Sequence, residues 1–186
     1  MNVGDQLLII QCSNDISPDE LAAVQACVGI HGLVTTHVNL CKGDDLIKLT
    51  AGKCFRLAYI CGHGNINELC NEMGNGLTWE VMAASLCNSA CMTSDAVIFC
   101  AACRGGLKTV AKSFFINCPN VEYVVGPRAD IYPPTLALGF HVFMFNKIFR
   151  RADAETSIEI TSNATGFKFD AHSRQAFMDQ AYLGVA

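Results

Sequence analysis

Short apolar runs alternate with helix-like segments along most of the chain. Five runs are predicted as strands, at residues 6–11, 35–40, 55–61, 95–100 and 121–126, and a sixth strand is predicted at 167–169. Runs of this length, separated by amphipathic segments, are typical of parallel strands covered by helices on both faces. The pattern therefore predicts a three-layer α/β/α sandwich with a mainly parallel sheet of about six strands.

Helix signals fill the intervals between these runs. Ser17 is a good N-cap, Pro18 suits the first helical position and Glu20 occupies the capping-box position, which predicts a helix to about Val28. Further helices are predicted at 44–49, 78–90, 108–117, 134–151 and 153–163, with a last one after the sixth strand. The polar, glycine-rich stretch 62–76 contains no predicted element.

Composition limits the class of protein. The 186 residues are 51% apolar and 16% charged, which predicts one domain over residues 1–186 with a full core. The net charge of −4, without any basic run, argues against a nucleic-acid partner. The apolar run 135–149 is interrupted by His141, Asn146 and Lys147, so it is too short and too polar for a membrane span.

Cysteine is unusually frequent, with 11 in the chain. No charged-then-apolar leader precedes the first strand, so a secreted disulfide framework is not expected. Many of the cysteines sit inside apolar runs, where a free thiol behaves as a small hydrophobic group. The sequence predicts a cytoplasmic protein whose thiols are mostly inert.

Two strand ends carry residues suited to chemistry. The third predicted strand runs into residues 61–65 (CGHGN), and the fourth runs into residues 100–106 (CAACRGG). Ligands collect beyond the carboxyl ends of parallel strands, because the loops there converge. If the intervening helix is a single crossover, the two ends are neighbours, and His63 and Cys103 can reach one substrate.

These residue types fit the cleavage of an amide bond. A thiolate attacks the carbonyl carbon, an imidazole protonates the departing amine, and backbone N–H groups hold the oxyanion. Cys103 is the candidate nucleophile and His63 the candidate acid and base. The N–H groups of Gly64 and Cys103 are the candidate oxyanion donors, and the glycines at 105–106 allow a sharp turn after the sulfur.

The same residues resemble a known family. Ala102-Cys103-Arg104-Gly105 matches four of the five residues of the caspase nucleophile pentapeptide Gln-Ala-Cys-Arg-Gly, and His63 lies 40 residues before Cys103. The stretch 55–151 is similar to caspase-like (clan CD) cysteine peptidases. The small size of the chain and the absence of a recognisable activation linker are more similar to bacterial CHAT and caspase-like domains than to animal caspases.

The resemblance implies a cysteine endopeptidase that works through a thioester and needs no metal or organic cofactor. Its substrate would be a protein or peptide, and a partner protein or an upstream signal would control it. Bacterial relatives of this kind often serve in stress or phage defence. The resemblance also implies a structural role for Arg104.

One departure concerns substrate preference. Two residues before the nucleophile, the family places a glutamine that helps bind aspartate, or an aspartate in members with basic specificity. This chain has Ala101, which can do neither. Arg128 and Asp130, in the loop after the fifth strand, are the candidate substrate-binding residues instead. Arg128 would favour an acidic residue before the scissile bond, and Asp130 a basic one.

Three other interpretations stay open. Cys100 and Cys103 form a C-x-x-C motif between a strand and a helix, as in thioredoxin-like oxidoreductases. A caspase-like fold can also serve as an inactive interaction module. Finally, Cys61, His63, Cys100 and Cys103 could approach one another as zinc ligands, although structural zinc sites more often use paired loop motifs.

Overall fold

Residues 6–182 are described by a computed structural model of the chain. The strands are β1 (Gln6–Gln11), β2 (Val34–Asn39), β3 (Phe55–Cys61), β4 (His63–Gly64), β5 (Glu68–Cys70), β6 (Gly76–Thr78), β7 (Met92–Ala101), β8 (Val121–Pro127) and β9 (Phe169–Ser173). The helices are α1 (Pro18–Ile30), α2 (Leu46–Thr50), α3 (Trp79–Asn88), α4 (Lys108–Asn117), α5 (Pro133–Met144), α6 (Ala154–Thr165) and α7 (Arg174–Tyr182). The two ends of the predicted domain, residues 1–5 and 183–186, lie outside the described residues.

The main sheet has six strands in the order β2-β1-β3-β7-β8-β9. The first five are parallel, and β9 runs antiparallel to β8. Alternate residues of the central strand β3 enter two separate cores: Ile60 belongs to the same core as Phe114 of α4, and Tyr59 packs against Phe140 of α5. The sheet is thus covered on both faces, and the predicted three-layer fold class is confirmed.

Of the two capping residues predicted for helix α1, one caps the helix and the other does not. Ser17 caps α1 as predicted, since its Oγ accepts a hydrogen bond from the N–H of Asp19 at 3.1 Å. Glu20 takes another partner: its carboxylate accepts a hydrogen bond from the hydroxyl of Tyr59 at 3.3 Å. This glutamate therefore ties the first turn of α1 to strand β3 rather than closing the predicted capping box.

The stretch 62–76 contains more structure than the sequence predicted. Strands β4, β5 and β6 form a second, antiparallel sheet that starts directly after β3. With only two or three residues each, these strands are too short to show an alternation of apolar and polar positions. This small sheet places His63 beside the carboxyl end of the main sheet.

The long predicted helix at 134–151 is divided in the structure. Its α-helical part ends at Met144, and residues Phe145–Phe149 continue as a π-helix. Arg151 then takes a positive φ of 55°, which ends the element before α6. None of the helices within residues 6–182 has both the length and the hydropathy that a membrane span requires.

Candidate active site

The two sequence motifs lie at neighbouring strand ends. Strands β3 and β7 pair in parallel, and their last residues, Cys61 and Ala101, are opposite each other. The helix between them, α3, is the single crossover that the sequence argument required. Both chain segments therefore leave the sheet at the same edge, which is the usual place for a site in a parallel sheet.

Gly64 brings the two motifs into contact. A Cβ built on Gly64 would lie 2.6 Å from the carbonyl oxygen of Cys103 and 2.9 Å from the Cβ of Ala102. Only a residue without a side chain permits so close an approach. Because Gly64 directly follows His63, the histidine-bearing strand β4 lies against the backbone of the predicted nucleophile.

Asp15, which the sequence analysis did not single out, orients His63. Its Oδ2 lies 2.7 Å from Nε2 of the imidazole, and both side chains are about half exposed. Ser13 donates a hydrogen bond to Oδ1 of Asp15 at 2.5 Å, which is the main reason that the pKa of this carboxyl is lowered, and His63 adds to the effect. With Asp15 ionised, Nε2 is the donor and Nδ1 is the nitrogen free to exchange a proton with a substrate or thiol.

Cys103 lies in the turn after β7 and is half-buried. Its sulfur accepts a hydrogen bond from the backbone N–H of Ile131 at 3.5 Å and is 3.9 Å from the carbonyl oxygen of the same residue. A Cβ on Gly106 would overlap the carbonyl oxygen of Gly126, so the turn needs this glycine to pass beside β8. The loop after β8 thus lies directly across the sulfur.

The two predicted substrate-binding charges both have partners. Asp130 is held by Arg104, whose Nε and Nη2 lie 3.0 Å and 3.3 Å from its two carboxylate oxygens. The N–H of Arg104, at a positive φ of 62°, also donates to the carbonyl oxygen of Ala129. Arg128 forms a longer, single contact of 3.6 Å with Asp170 on β9. Arg104 therefore fastens the turn after β7 to the loop after β8.

Ala101 occupies a different place. It is 1% exposed and belongs to the core between the sheet and helices α1 and α5. Its methyl group is therefore part of the packing under the site and does not line the surface above it. At the position where the family places a substrate-binding glutamine or aspartate, this chain therefore has a core side chain.

The position of Cys100 bears on the other interpretations. Its side chain is fully buried in the core between the sheet and helices α3 and α4, and burial strongly raises the pKa of its thiol. A thiol in this environment is a poor nucleophile, which disfavours a C-x-x-C redox centre. Within residues 6–182, no group of three or more His, Cys, Asp or Glu side chains is placed to hold a metal ion.

No protein-family model matches the chain, and no curated protein does. Among solved structures, it superposes on the crystal structure of the Arg-specific cysteine proteinase gingipain R with a TM-score of 0.56. In fold, the chain resembles gingipain R.

The likeness to gingipain R concerns the fold alone, because the sequence identity is 13%. The match covers 91% of this chain but only 46% of the gingipain R chain. Over that span, both proteins share the mainly parallel sheet flanked by helices that the sequence predicted. The site described above lies at the carboxyl edge of this shared sheet.

Proposed function

We propose that the protein is a cysteine endopeptidase in which Cys103 is the nucleophile and His63 the general acid and base. The observation that carries this proposal is the contact of Gly64 with the backbone of Cys103. It joins an imidazole, oriented by an ionised carboxylate, to a turn that presents a thiol. The fold shared with a cysteine proteinase adds support at a coarse level.

The proposed reaction proceeds in two steps. The Cys103 thiol gives its proton to Nδ1 of His63, and the sulfur attacks the carbonyl carbon of the peptide bond. His63 then passes this proton to the departing amine, which leaves a thioester on Cys103. Water, activated by the same imidazole, hydrolyses the thioester and releases the carboxyl product. The residues present need no metal or organic cofactor for these steps.

Three groups assist these steps in the proposal. Asp15 stabilises the imidazolium form of His63 while it holds the proton, because the two groups form an ion pair at 2.7 Å. The backbone N–H groups of Gly64 and Cys103 receive the oxyanion. Donors of this kind typically contribute about 10²–10³ in rate each.

Control by a partner or signal is part of the proposal. The N–H of Ile131 is directed at the sulfur of Cys103, and the loop that carries it is tied down by the pair between Arg104 and Asp130. A peptide carbonyl must reach the same sulfur. A partner that shifts this loop would therefore open the site, and the similarity to CHAT-type domains, which rests on the sequence motif, agrees with such control.

Covalent trapping tests the proposal directly. A peptidyl acyloxymethyl ketone is expected to form a thioether with Cys103, identified by peptide mapping, and His63→Ala is expected to slow labelling at least about 100-fold, because proton transfer by a positioned side chain contributes about 10²–10⁴. The side chain of His63 is about half exposed, so the variant should fold normally. If the native protein is not labelled on Cys103, with or without candidate activators, the inactive-module interpretation is preferred.

Substrate preference is tested separately, because the two candidate charges predict opposite results. Arg128, whose partner is the more distant, would select an acidic residue before the scissile bond, and Asp130 would select a basic one. In a peptide-library profile, Arg128→Ala is expected to remove an acidic preference or Asp130→Ala a basic one, by roughly 10-fold or more for a lost bidentate contact. A profile unchanged in both variants would assign the preference to other residues.

A further inference from the structure

A second carboxylate, Glu72, contacts the loop that carries Asp15. Glu72 lies in the turn between β5 and β6, and its two oxygens accept hydrogen bonds from Asn14: from the backbone N–H at 2.9 Å and from Nδ2 at 3.2 Å. Its Oε2 is also 2.9 Å from the hydroxyl of Ser13. Although Glu72 is exposed, it is thus engaged by two consecutive residues that are far away in the sequence.

Ser13 connects this carboxylate to the histidine. Its side chain is fully buried, and its hydroxyl oxygen lies 2.5 Å from Oδ1 of Asp15 as well as 2.9 Å from Glu72. A hydroxyl has a single proton to donate, so the two carboxylates share one donor. Asp15 in turn holds Nε2 of His63. The contacts therefore form a continuous chain from Glu72 through Ser13 and Asp15 to the imidazole.

Both ends of this series of contacts belong to the small sheet formed by β4, β5 and β6. His63 on β4 is paired with Cys70 on β5, and Glu72 follows two residues after Cys70. The small sheet therefore contacts the loop after β1 at two points, one at each end of the segment 13–15. Holding both ends of so short a segment restricts the conformations of Asp15, which is the end held by His63.

The groups around Asp15 shift the pKa of its carboxyl in opposite directions. Hydrogen bonds from its own N–H and from Asn14 lower the pKa of Glu72 to about 2, so that it is ionised at neutral pH. Its charge raises the pKa of Asp15, against the larger lowering by Ser13. Among residues 6–182, Glu20 of α1 and Cys41 of the turn after β2 also lie near enough to Asp15 to interact with its charge.

We propose that Glu72 is a positioning residue for the imidazole of His63. By holding Ser13 and Asn14, it keeps Asp15 within hydrogen-bond distance of Nε2, so that Nδ1 is presented to the reacting groups. This inference rests on the proposed peptidase function for its effect on rate, but the orientation of His63 can be measured without any turnover.

The test compares Glu72→Ala and Glu72→Gln with Glu159→Ala, which removes an exposed carboxylate on α6. Glu72→Ala is expected to lower kcat about 10- to 100-fold with little change in KM, because a small misplacement of a catalytic group has effects of this size. Glu72→Gln keeps an oxygen that accepts from Asn14 and should recover most of the rate. Glu159→Ala should match the native protein.

The second readout is the ¹⁵N spectrum of His63. In the native protein and in Glu72→Gln, the neutral imidazole is expected to carry its proton on Nε2, bound to Asp15. In Glu72→Ala, a mixture of both tautomers is expected. An unchanged tautomer in Glu72→Ala overturns the positioning role, whatever the turnover. A native protein without peptidase activity, but with the tautomer shift in Glu72→Ala, overturns the proposed function and leaves the positioning role in place.

Discussion

Replacing Cys103 by alanine is expected to lower peptide cleavage at least about 10⁴-fold, the scale seen when a covalent nucleophile is removed. The thioester cannot form without the sulfur, and the rest of the site can only bind the peptide and polarise its carbonyl. The variant should fold normally, since Cys103 is half-buried and loses only weak contacts with Ile131. The measurement is kcat/KM on the best peptide of the library, together with a denaturation curve.

The matched control is Cys54→Ala. Cys54 is an exposed free thiol at the opposite end of strand β3 from the site, so its removal tests for general thiol effects such as oxidation or nonspecific alkylation. Cleavage by Cys54→Ala should equal that of the native protein within about twofold, as expected for a surface substitution. Cleavage that persists in Cys103→Ala would mean that another residue is the nucleophile.

The second large effect is expected for Gly64→Ala. The added methyl group would lie 2.6 Å from the carbonyl oxygen of Cys103 and 2.9 Å from the Cβ of Ala102, so either strand β4 or the turn after β7 must move. We expect kcat/KM to fall at least about 100-fold, because small displacements of reacting groups carry costs of this size. Stability should fall by about 1–3 kcal/mol, as is typical of overpacking. The N–H of residue 64 is retained, so the loss reports the separation of the two motifs.

Gly76→Ala is the control for Gly64→Ala. It lies in the same small sheet, and its methyl group would meet the sulfur of Cys70 and the carbonyl oxygen of Leu69, both at 2.9 Å. A similar loss of stability is expected, without a comparable loss of kcat/KM or of the alkylation rate of Cys103. Equal losses of activity in the two variants would show that the small sheet matters only as a whole, and that the contact with Cys103 has no special role.

Taken together, these variants separate three properties of the site. Cys103→Ala tests the nucleophile, Gly64→Ala tests its distance from the histidine strand, and Glu72→Ala tests the orientation of the imidazole. Each has a control variant with the same type of substitution at a position that should not affect the tested property. A loss confined to one pair would identify the step that depends on it.

The sequence predicts much of the fold. The bounds of β1, β3 and α4 are those predicted, and β7 and β8 contain their predicted cores. Strands buried on both faces must consist of nearly continuous apolar residues, and this requirement leaves a local mark in the sequence. The adjacency of the two motifs followed as well, because a single helix between parallel strands leaves little choice of neighbour.

Other features depend on contacts between residues that are far apart in the sequence. Asp15 and His63 are 48 residues apart, and Glu72 reaches Asn14 across 58, with no spacing rule that connects them. The burial of Ala101 depends on α1 and α5 covering the same face of the sheet. The chain alone specified most strands of the main sheet and the two motifs that follow them, because burial on both faces leaves apolar runs in the sequence. The partners of each polar side chain depended on which loops the strand order brought together, and that is a property of the whole fold.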